Sequence, residues 1–352
     1  MNSARKNPLQ RHGLPGPRRV LVTGGAGFIG TNLVALLLES GYEVTVLDNF
    51  SAGRREYLEG LRAEIICGDI LDPSTVERAL AGQAAVVHLA AQTGVPGSLE
   101  NPRRDCAVNI LGTLALLEAC RAEASRAERR NGGPAGGHYR GPRFIFASSN
   151  APLGRQTPPA SEDKAPLPVS PYGASKLAGE AYCLAYHGSW GLETVALRFG
   201  NVYGPYSAHK NSVIAKFFTD ILAHGRITLD GDGLQTRDFI YAADLCRAIL
   251  LALESTAAGE VFQIATGIET SLRDLSSLAK QAVTRKVELL HGPARRGDVR
   301  RNYSSIAKAR AALGWEPRTG LLEGLRTTWK WFQTHEAGHR PLHQSHAAAN
   351  RS

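Results

Sequence analysis

Between Arg19 and Arg198, short apolar runs alternate with longer stretches of mixed polarity. Val20-Leu21-Val22, Glu43–Leu47, Glu64–Cys67, Ala85–Leu89, Phe144–Phe146 and Thr194–Leu197 read as strands. Runs that are apolar throughout suit a parallel sheet covered on both faces. The stretches 27–39, 74–81, 103–121 and 171–187 read as helices. The alternation predicts an α/β fold: a Rossmann-type doubly wound parallel sheet with right-handed crossovers.

After residue 200 the elements become shorter and mixed. Helices are expected near 211–224, 242–254, 271–284, 304–312 and 320–333, and strands near 227–230, 237–241, 260–265 and 286–290. This rhythm predicts a smaller mixed α/β C-terminal substrate lobe over 201–333, interleaved with a dinucleotide-binding domain over 19–200. Residues 121–143 contain Asn-Gly-Gly-Pro-Ala-Gly-Gly and read as a loop insertion. Residues 1–18 read as a disordered tail and 334–352 as a polar, His-containing tail. No internal repeat is evident.

Composition fits a globular chain: 352 residues, 43% hydrophobic and 21% charged. No run approaches the roughly 18–20 apolar residues that cross a bilayer. The N-terminus lacks a signal-peptide apolar core, so a cytoplasmic location and no membrane partner are expected. The net charge of +9 is concentrated in residues 1–19 and 121–143, and the rest is formally neutral. A nucleic-acid binder carries its basic stripe on a folded face, so no nucleic-acid partner is expected. The five cysteines are odd in number and without C-x-x-C spacing, which argues against a disulfide framework or a zinc site and for buried free thiols.

The first strand runs into Thr23-Gly24-Gly25-Ala26-Gly27-Phe28-Ile29-Gly30, which satisfies G-x-G-x-x-G. Glycines there let the backbone approach a pyrophosphate, and the following helix aims free N–H groups at the anion. Asp48 ends the second strand, where a carboxylate binds ribose hydroxyls and repels a 2′-phosphate. The cofactor indicated is NAD rather than NADP. His88 ends a strand with no second ligand spaced nearby and reads as structural, and no metal is expected.

Ser170-Pro171-Tyr172-Gly173-Ala174-Ser175-Lys176 starts a helix, with Ser170 suited to the N-cap and Pro171 to the first helical position. Tyr172 and Lys176 share one helix face. A neighbouring ammonium and an oxidised nicotinamide are expected to stabilise a phenolate, making Tyr172 a base for a sugar hydroxyl.

Thr23–Gly30, Asp48, Gly68-Asp69-Ile70, His88-Leu89-Ala90-Ala91-Gln92, Asn109, Ser148-Ser149 and Tyr172-x-x-x-Lys176 resemble the extended short-chain dehydrogenase/reductases. Within these the chain looks most like the UDP-sugar 4-epimerases, over about residues 19–332. The resemblance implies tightly held NAD and a 4-keto sugar intermediate. The cofactor would lie against Gly24, Gly27, Phe28, Ile29 and Gly30, with Asp48 and Asn49 at the ribose. Asp69 and Ile70 would adjoin the adenine, and Leu89, Ala90 and Ala91 would line the groove. Lys176 would bind the nicotinamide ribose beside Tyr172, Ser149 would bond the reacting oxygen, and Asn109 would organise the active-site helix.

On the substrate side the resemblance places Asn201 at the diphosphate, with Arg237 and Arg295 as clamps and Asp298 at the nucleoside ribose. Guanidinium forks suit phosphate oxygens, although each arginine read alone is also a common surface ion-pair residue. The family usually reads Ser-Ser-x-x-Val-Tyr-Gly after the fifth strand, whereas this chain has Ser148-Ser149-Asn150-Ala151-Pro152-Leu153-Gly154. Leu153 in place of tyrosine predicts an altered sugar pocket, with Asn150 on the substrate side. Related 4,6-dehydratases carry Thr-Asp-Glu there, and Asn150 and Ala151 supply neither carboxyl group. UDP-glucose/UDP-galactose and UDP-glucuronate/UDP-galacturonate are the leading pairs, and His209 and Lys210 are candidates to meet a C6 carboxylate. A 4-keto-sugar reductase or dehydrogenase is the rival enzyme, and a non-catalytic NAD sensor the rival of another class. Helices 103–121 and 171–187 resemble the family's dimer interface, which implies a homodimer.

Overall fold

The computed structural model describes residues 18–130, 141–293 and 299–335. The first half runs β1 (Arg19–Thr23), α1 (Phe28–Glu39), β2 (Glu43–Asp48), β3 (Glu64–Cys67), α2 (Pro73–Leu80) and β4 (Ala85–His88). It continues through α3 (Val95–Glu100), α4 (Pro102–Cys106), α5 (Gly112–Arg130), β5 (Arg143–Ser149), α6 (Pro171–Trp190) and β6 (Thr194–Phe199). The second half opens with β7 (Asn201–Tyr203), α7 (Val213–His224), β8 (Arg226–Asp230), β9 (Thr236–Arg237), β10 (Phe239–Tyr241) and α8 (Ala242–Glu254). It ends with β11 (Glu260–Ile264), β12 (Thr270–Ser271), α9 (Leu272–Ala282), β13 (Glu288–Gly292), α10 (Ala307–Leu313) and α11 (Leu321–His335).

The main sheet has the order β3-β2-β1-β4-β5-β6-β11, with every neighbouring pair parallel. It is the doubly wound sheet that the apolar runs predict, and its order reverses between β1 and β4, where such folds bind ligands. Alternation along the strands explains why these runs are apolar throughout. Val20 and Val22 point into the layer holding Leu33, Leu37 and Ile249. Leu21 points the other way, among Leu116, Phe144 and Phe146. Both faces are covered, so apolar residues dominate the strand centres.

The sequence after residue 200 feeds both layers. β11 returns to the main sheet beside β6, and α8 packs against α1. The parallel pair β8–β13 instead joins α7, α9 and α11 around Phe217, Phe218, Leu275, Trp329 and Phe332. The strand expected over 237–241 is two short strands with different partners. Asp238 separates them because its buried carboxylate accepts from the backbone N–H groups of Thr266, Gly267 and Ser304.

Two other expectations need correction. The helix expected over 103–121 is α4, a π-helical turn over Ala107–Leu111, and α5. α5 runs on to Arg130, so 121–130 is helix rather than loop. The reason lies in the composition: Glu118–Arg121 and Glu123–Arg126 pair across one turn in a segment rich in good helix formers. The Gly-rich remainder of that segment, 131–140, lies outside the described residues, as do 1–17 and 336–352 of the expected tails. Cys120, Cys183 and Cys246 are buried free thiols, whereas Cys67 and Cys106 are exposed.

Candidate active site

The turn between β1 and α1 is built by glycine. Gly24 has φ 71°, and a Cβ there would meet the backbone N of Ala90 at 2.7 Å. A Cβ on Gly30 would meet the Gly24 carbonyl oxygen at 2.2 Å, so the helix sits on the turn at a distance only hydrogen allows. Gly27 is the N-cap of α1 and no side chain caps it. The first-turn N–H groups have no intrahelical acceptor and are available to an anion. Gly27, Phe28, Ile29 and Gly30 line the cleft above the switch point.

The cleft continues along Asp48, Asn49, Asp69, Ile70, Leu89, Ala90 and Ala91, and ends at Tyr172 and Lys176. Asp48 accepts from the backbone N–H groups of Ala26 at 2.9 Å and Phe50 at 2.8 Å, which fixes it against the glycine turn. Burial pushes its carboxyl up, and these two bonds oppose the shift. Asn49 donates to Asp69 at 3.0 Å, tying the ends of β2 and β3 together. A glycine cradle for phosphates with a carboxylate at its far wall fits a dinucleotide without a 2′-phosphate.

Asn109 is the one expected cofactor residue that does not line this cleft. It is buried behind the wall, in the π-helical turn. Its side chain accepts from Gln92 N at 2.8 Å, and its amide faces the Gln92 carbonyl oxygen at 3.0 Å and Ser175 Oγ at 3.1 Å. It therefore ties the loop after β4 to the turn of α6 that carries Lys176. His88 is buried too, bridging Thr23 at 2.7 Å and Thr113 at 3.0 Å. Burial, with Lys176 nearby, pulls its imidazole down to about 3, so it is neutral and structural.

α6 begins as its sequence requires, with Ser170 Oγ accepting from Gly173 N at 3.1 Å and Pro171 in the first turn. Lys176 donates to the Ala147 carbonyl at 2.9 Å. Burial pulls its ammonium down to about 8, opposed by the carboxylates of Asp105 and Glu180. Burial pushes the Tyr172 phenol up to about 12; its hydrogen bond with Ser149 opposes this and the Asp105 charge adds to it. The sequence reading made Lys176 the group that lowers the phenol. Among the chain's own groups the hydrogen bond with Ser149 is what lowers the phenol, and the Lys176 ammonium is held one turn away on the Ala147 carbonyl.

A second cleft of about 760 Å³ opens from the first. Tyr172, Thr93, His209 and Lys210 line both, so the phenol stands where they meet. Asn201 and Arg237 line the second cleft as expected. Arg237 is held by the carbonyls of Thr236 and Val299, each at 2.7 Å. Lys210 donates to Thr93 Oγ1 at 3.3 Å, and burial pulls its ammonium down. His209 is pulled down to about 4 by burial and by the charges of Lys210 and Arg54, and its Nδ1 is buried without a partner.

Ser149, Asn150 and Leu153 line neither cleft, and Ser149 reaches the site through its hydrogen bond with Tyr172. Asn150 lines neither cleft, because its amide donates to Ser304 Oγ at 2.9 Å in the neighbouring segment. Leu153 is 1% exposed and also lines neither, so the departure from the family tyrosine is absorbed by packing rather than presented to a ligand. Arg295 and Asp298 lie outside the described residues. Sequence reasoning missed Thr93, Lys216 and Gln235, which line the second cleft. Thr93 directly follows the quoted His88–Gln92 motif and Gln235 lies two residues before Arg237, whereas Lys216 carries no local signal.

Residues 20–265 match the model of the NAD dependent epimerase/dehydratase family. The UDP-glucose 4-epimerase of Mycolicibacterium smegmatis is 36% identical over 325 residues, covering 90% of this chain and 98% of that protein. The crystal structure of Thermotoga maritima UDP-glucose 4-epimerase with UDP-glucose superposes with a TM-score of 0.79 at 37% identity, covering 90% of this chain and 99% of that one. The UDP-glucuronic acid 4-epimerase of Bacillus cereus, in complex with UDP-glucuronic acid and NAD, gives 0.79 at 30% identity with the same coverage.

Proposed function

This chain belongs to the NAD dependent epimerase/dehydratase family, and we propose that it is a UDP-sugar 4-epimerase. The observation that carries this reading is the position of Tyr172, which lines both the cofactor cleft and the second cleft at their junction. When bound, NAD supplies a reversible hydride acceptor and, oxidised, a positive charge. The glycine turn of Gly24, Gly27 and Gly30 would hold its pyrophosphate and Asp48 a ribose.

The chain's own residues handle the proton. Tyr172 takes the proton of the sugar 4-hydroxyl, and Ser149 shares the hydrogen bond to the phenolic oxygen. Lys176, anchored on Ala147, fixes the base of the site. Asn201 and Arg237 hold the diphosphate while the 4-keto sugar turns within the second cleft. The proton then returns from Tyr172 to the oxygen of the opposite epimer. Asn150 and Ala151 provide no acid or base for water elimination, which favours epimerase over dehydratase chemistry.

A specific observation favours the uronates among UDP-sugars. Lys210 lines both clefts beside Tyr172 and, among the described residues, has no carboxylate partner. The neighbouring His209 leaves a buried nitrogen unpartnered. A carboxylate at C6 would give the Lys210 ammonium an ion-pair partner.

The homodimer rests on α6, whose Tyr182, Leu184 and Trp190 are apolar and exposed. A cytoplasmic location belongs to the same reading. No helix among the described residues is long and apolar enough to cross a membrane.

The test is incubation of the purified protein with NAD and, separately, UDP-glucose, UDP-galactose, UDP-N-acetylglucosamine and UDP-glucuronate, with separation of the products. The reading expects a C4 epimer and no net formation of NADH. Stoichiometric NADH would make the chain a dehydrogenase, and loss of water would make it a dehydratase.

A further inference from the structure

Asp105 is a carboxylate with 1% of its surface exposed, in the wall behind the active site. One oxygen accepts from Asn109 Nδ2 at 3.1 Å, and the other is buried without a hydrogen-bond partner. No ion pair satisfies it among the described residues. A buried carboxylate so poorly satisfied is unusual and calls for a reason.

The reason lies in what faces it. α4, which carries Asp105, packs on α6, which carries Tyr172 and Lys176, and on α3, which ends in Glu100. The adjacent Arg104 faces the cofactor cleft. Lys176 in turn meets His88 from β4, the Phe146 ring from β5 at 4.9 Å, and Glu180 and Cys183 from its own helix. His88 is neutral, and burial holds the Cys183 thiol protonated. Glu180 also acts on Lys176 but shares its carboxylate with Arg198 through two bonds of 2.9 and 2.7 Å. Among the described residues Asp105 is the anion near Lys176 that has no ion-pair partner of its own.

We propose that Asp105 is a positioning residue for the proton-transfer pair: its carboxylate, fixed by the Asn109 amide, is the counter-charge that keeps Lys176 an ammonium. The inference rests on the acid–base reading of Tyr172 and Lys176 given above. The same charge works against ionisation of Tyr172, so Asp105 sets where on the pH scale the pair operates. Asn109 links this charge to the helix turn it acts on, through Ser175, whose hydroxyl donates to the Tyr172 carbonyl at 3.1 Å.

The experiment compares pH profiles of kcat and KM for the NAD-loaded enzyme and its Asp105→Asn variant, on whichever UDP-sugar the wild type turns over. Asparagine keeps the shape and the acceptor for Asn109. The alkaline limb is expected near pH 8 in the wild type, from Lys176. In the variant it moves to lower pH by about one unit, with KM changed less than about twofold. A loss of kcat that is uniform across pH, or no change at all, overturns the proposal.

Should Asp105→Asn not fold, Asp105→Glu carries the test. It retains the charge, so the alkaline limb stays in place while kcat falls; a limb displaced to lower pH would contradict the proposal. These results are separable from failure of the function itself, which shows as absence of epimer in the wild type.

Discussion

Lys176 donates its ammonium to the main-chain carbonyl of Ala147 at 2.9 Å, one helical turn beyond Tyr172. That bond joins α6 to β5 at the floor of the site. Lys176 is a fixed positive group, and the hydrogen bond that lowers the phenol comes from Ser149. Ser149→Ala is therefore expected to reduce kcat by about 10- to 100-fold, in the range of a lost hydrogen bond to a developing charge, with NAD content unchanged. Steady-state kinetics together with the bound-nucleotide ratio check this. A variant that loses NAD instead would place Ser149 on the cofactor.

The glycine turn gives a second expectation. A Cβ at residue 30 meets the backbone oxygen of Gly24 at 2.2 Å and the Cα of Gly25 at 2.6 Å, neither of which can swing away. Gly30→Ala must displace α1 from the turn, and NAD affinity should fall at least about tenfold, equivalent to about 1.4 kcal/mol. Titration of the nucleotide-free protein with NAD measures it. Unchanged affinity would mean that the pyrophosphate does not bind at this helix end.

His88 supplies a pH dependence of stability. Its folded value is depressed by burial to about 3 from the ordinary imidazole value of 6.5. Between those values the unfolded chain holds the proton and the folded chain does not. The contribution of neutral His88 is thus fully present above about pH 6.5 and is lost as pH falls towards 3. From pH 7 to 5 the wild type should lose about 2 kcal/mol more than His88→Gln. Denaturant titrations at the two pH values read the difference, and equal losses would show that His88 titrates normally.

Lys210 tests substrate choice. Its ammonium lines the junction of the clefts, so Lys210→Met should lower the ratio of uronate to neutral-sugar kcat/KM by about tenfold, the worth of a hydrogen bond to a charged group. Paired assays on UDP-glucuronate and UDP-glucose give the ratio directly. A ratio that does not move would assign Lys210 a role unrelated to C6.

The sheet was legible because its strands are buried on both faces and leave unbroken apolar runs such as Val20–Val22 and Ala85–Val87. The cofactor cleft was legible because its residues sit in contiguous motifs at strand ends. The return of β11 to the sheet was hidden, since nothing local in Glu260–Ile264 says which neighbour it pairs with. The continuation of α5 through 121–130 was masked by the glycines that follow it. Asp105 left no signal at all: in sequence it is one acid among arginines, and only packing of α4 on α6 brings its charge near Lys176. Asn150 failed for the converse reason, since adjacency to Ser149 in sequence does not place its side chain in the cleft.

The central claim is that the Tyr172 phenol moves the proton. Side-by-side conversion of the best UDP-sugar by wild type and Tyr172→Phe, with bound NAD measured in both, tests it most directly. The account predicts equal NAD content and a fall in kcat of about 10²- to 10⁴-fold, the usual worth of a general base. Epimerisation by Tyr172→Phe at close to the wild-type rate would contradict it.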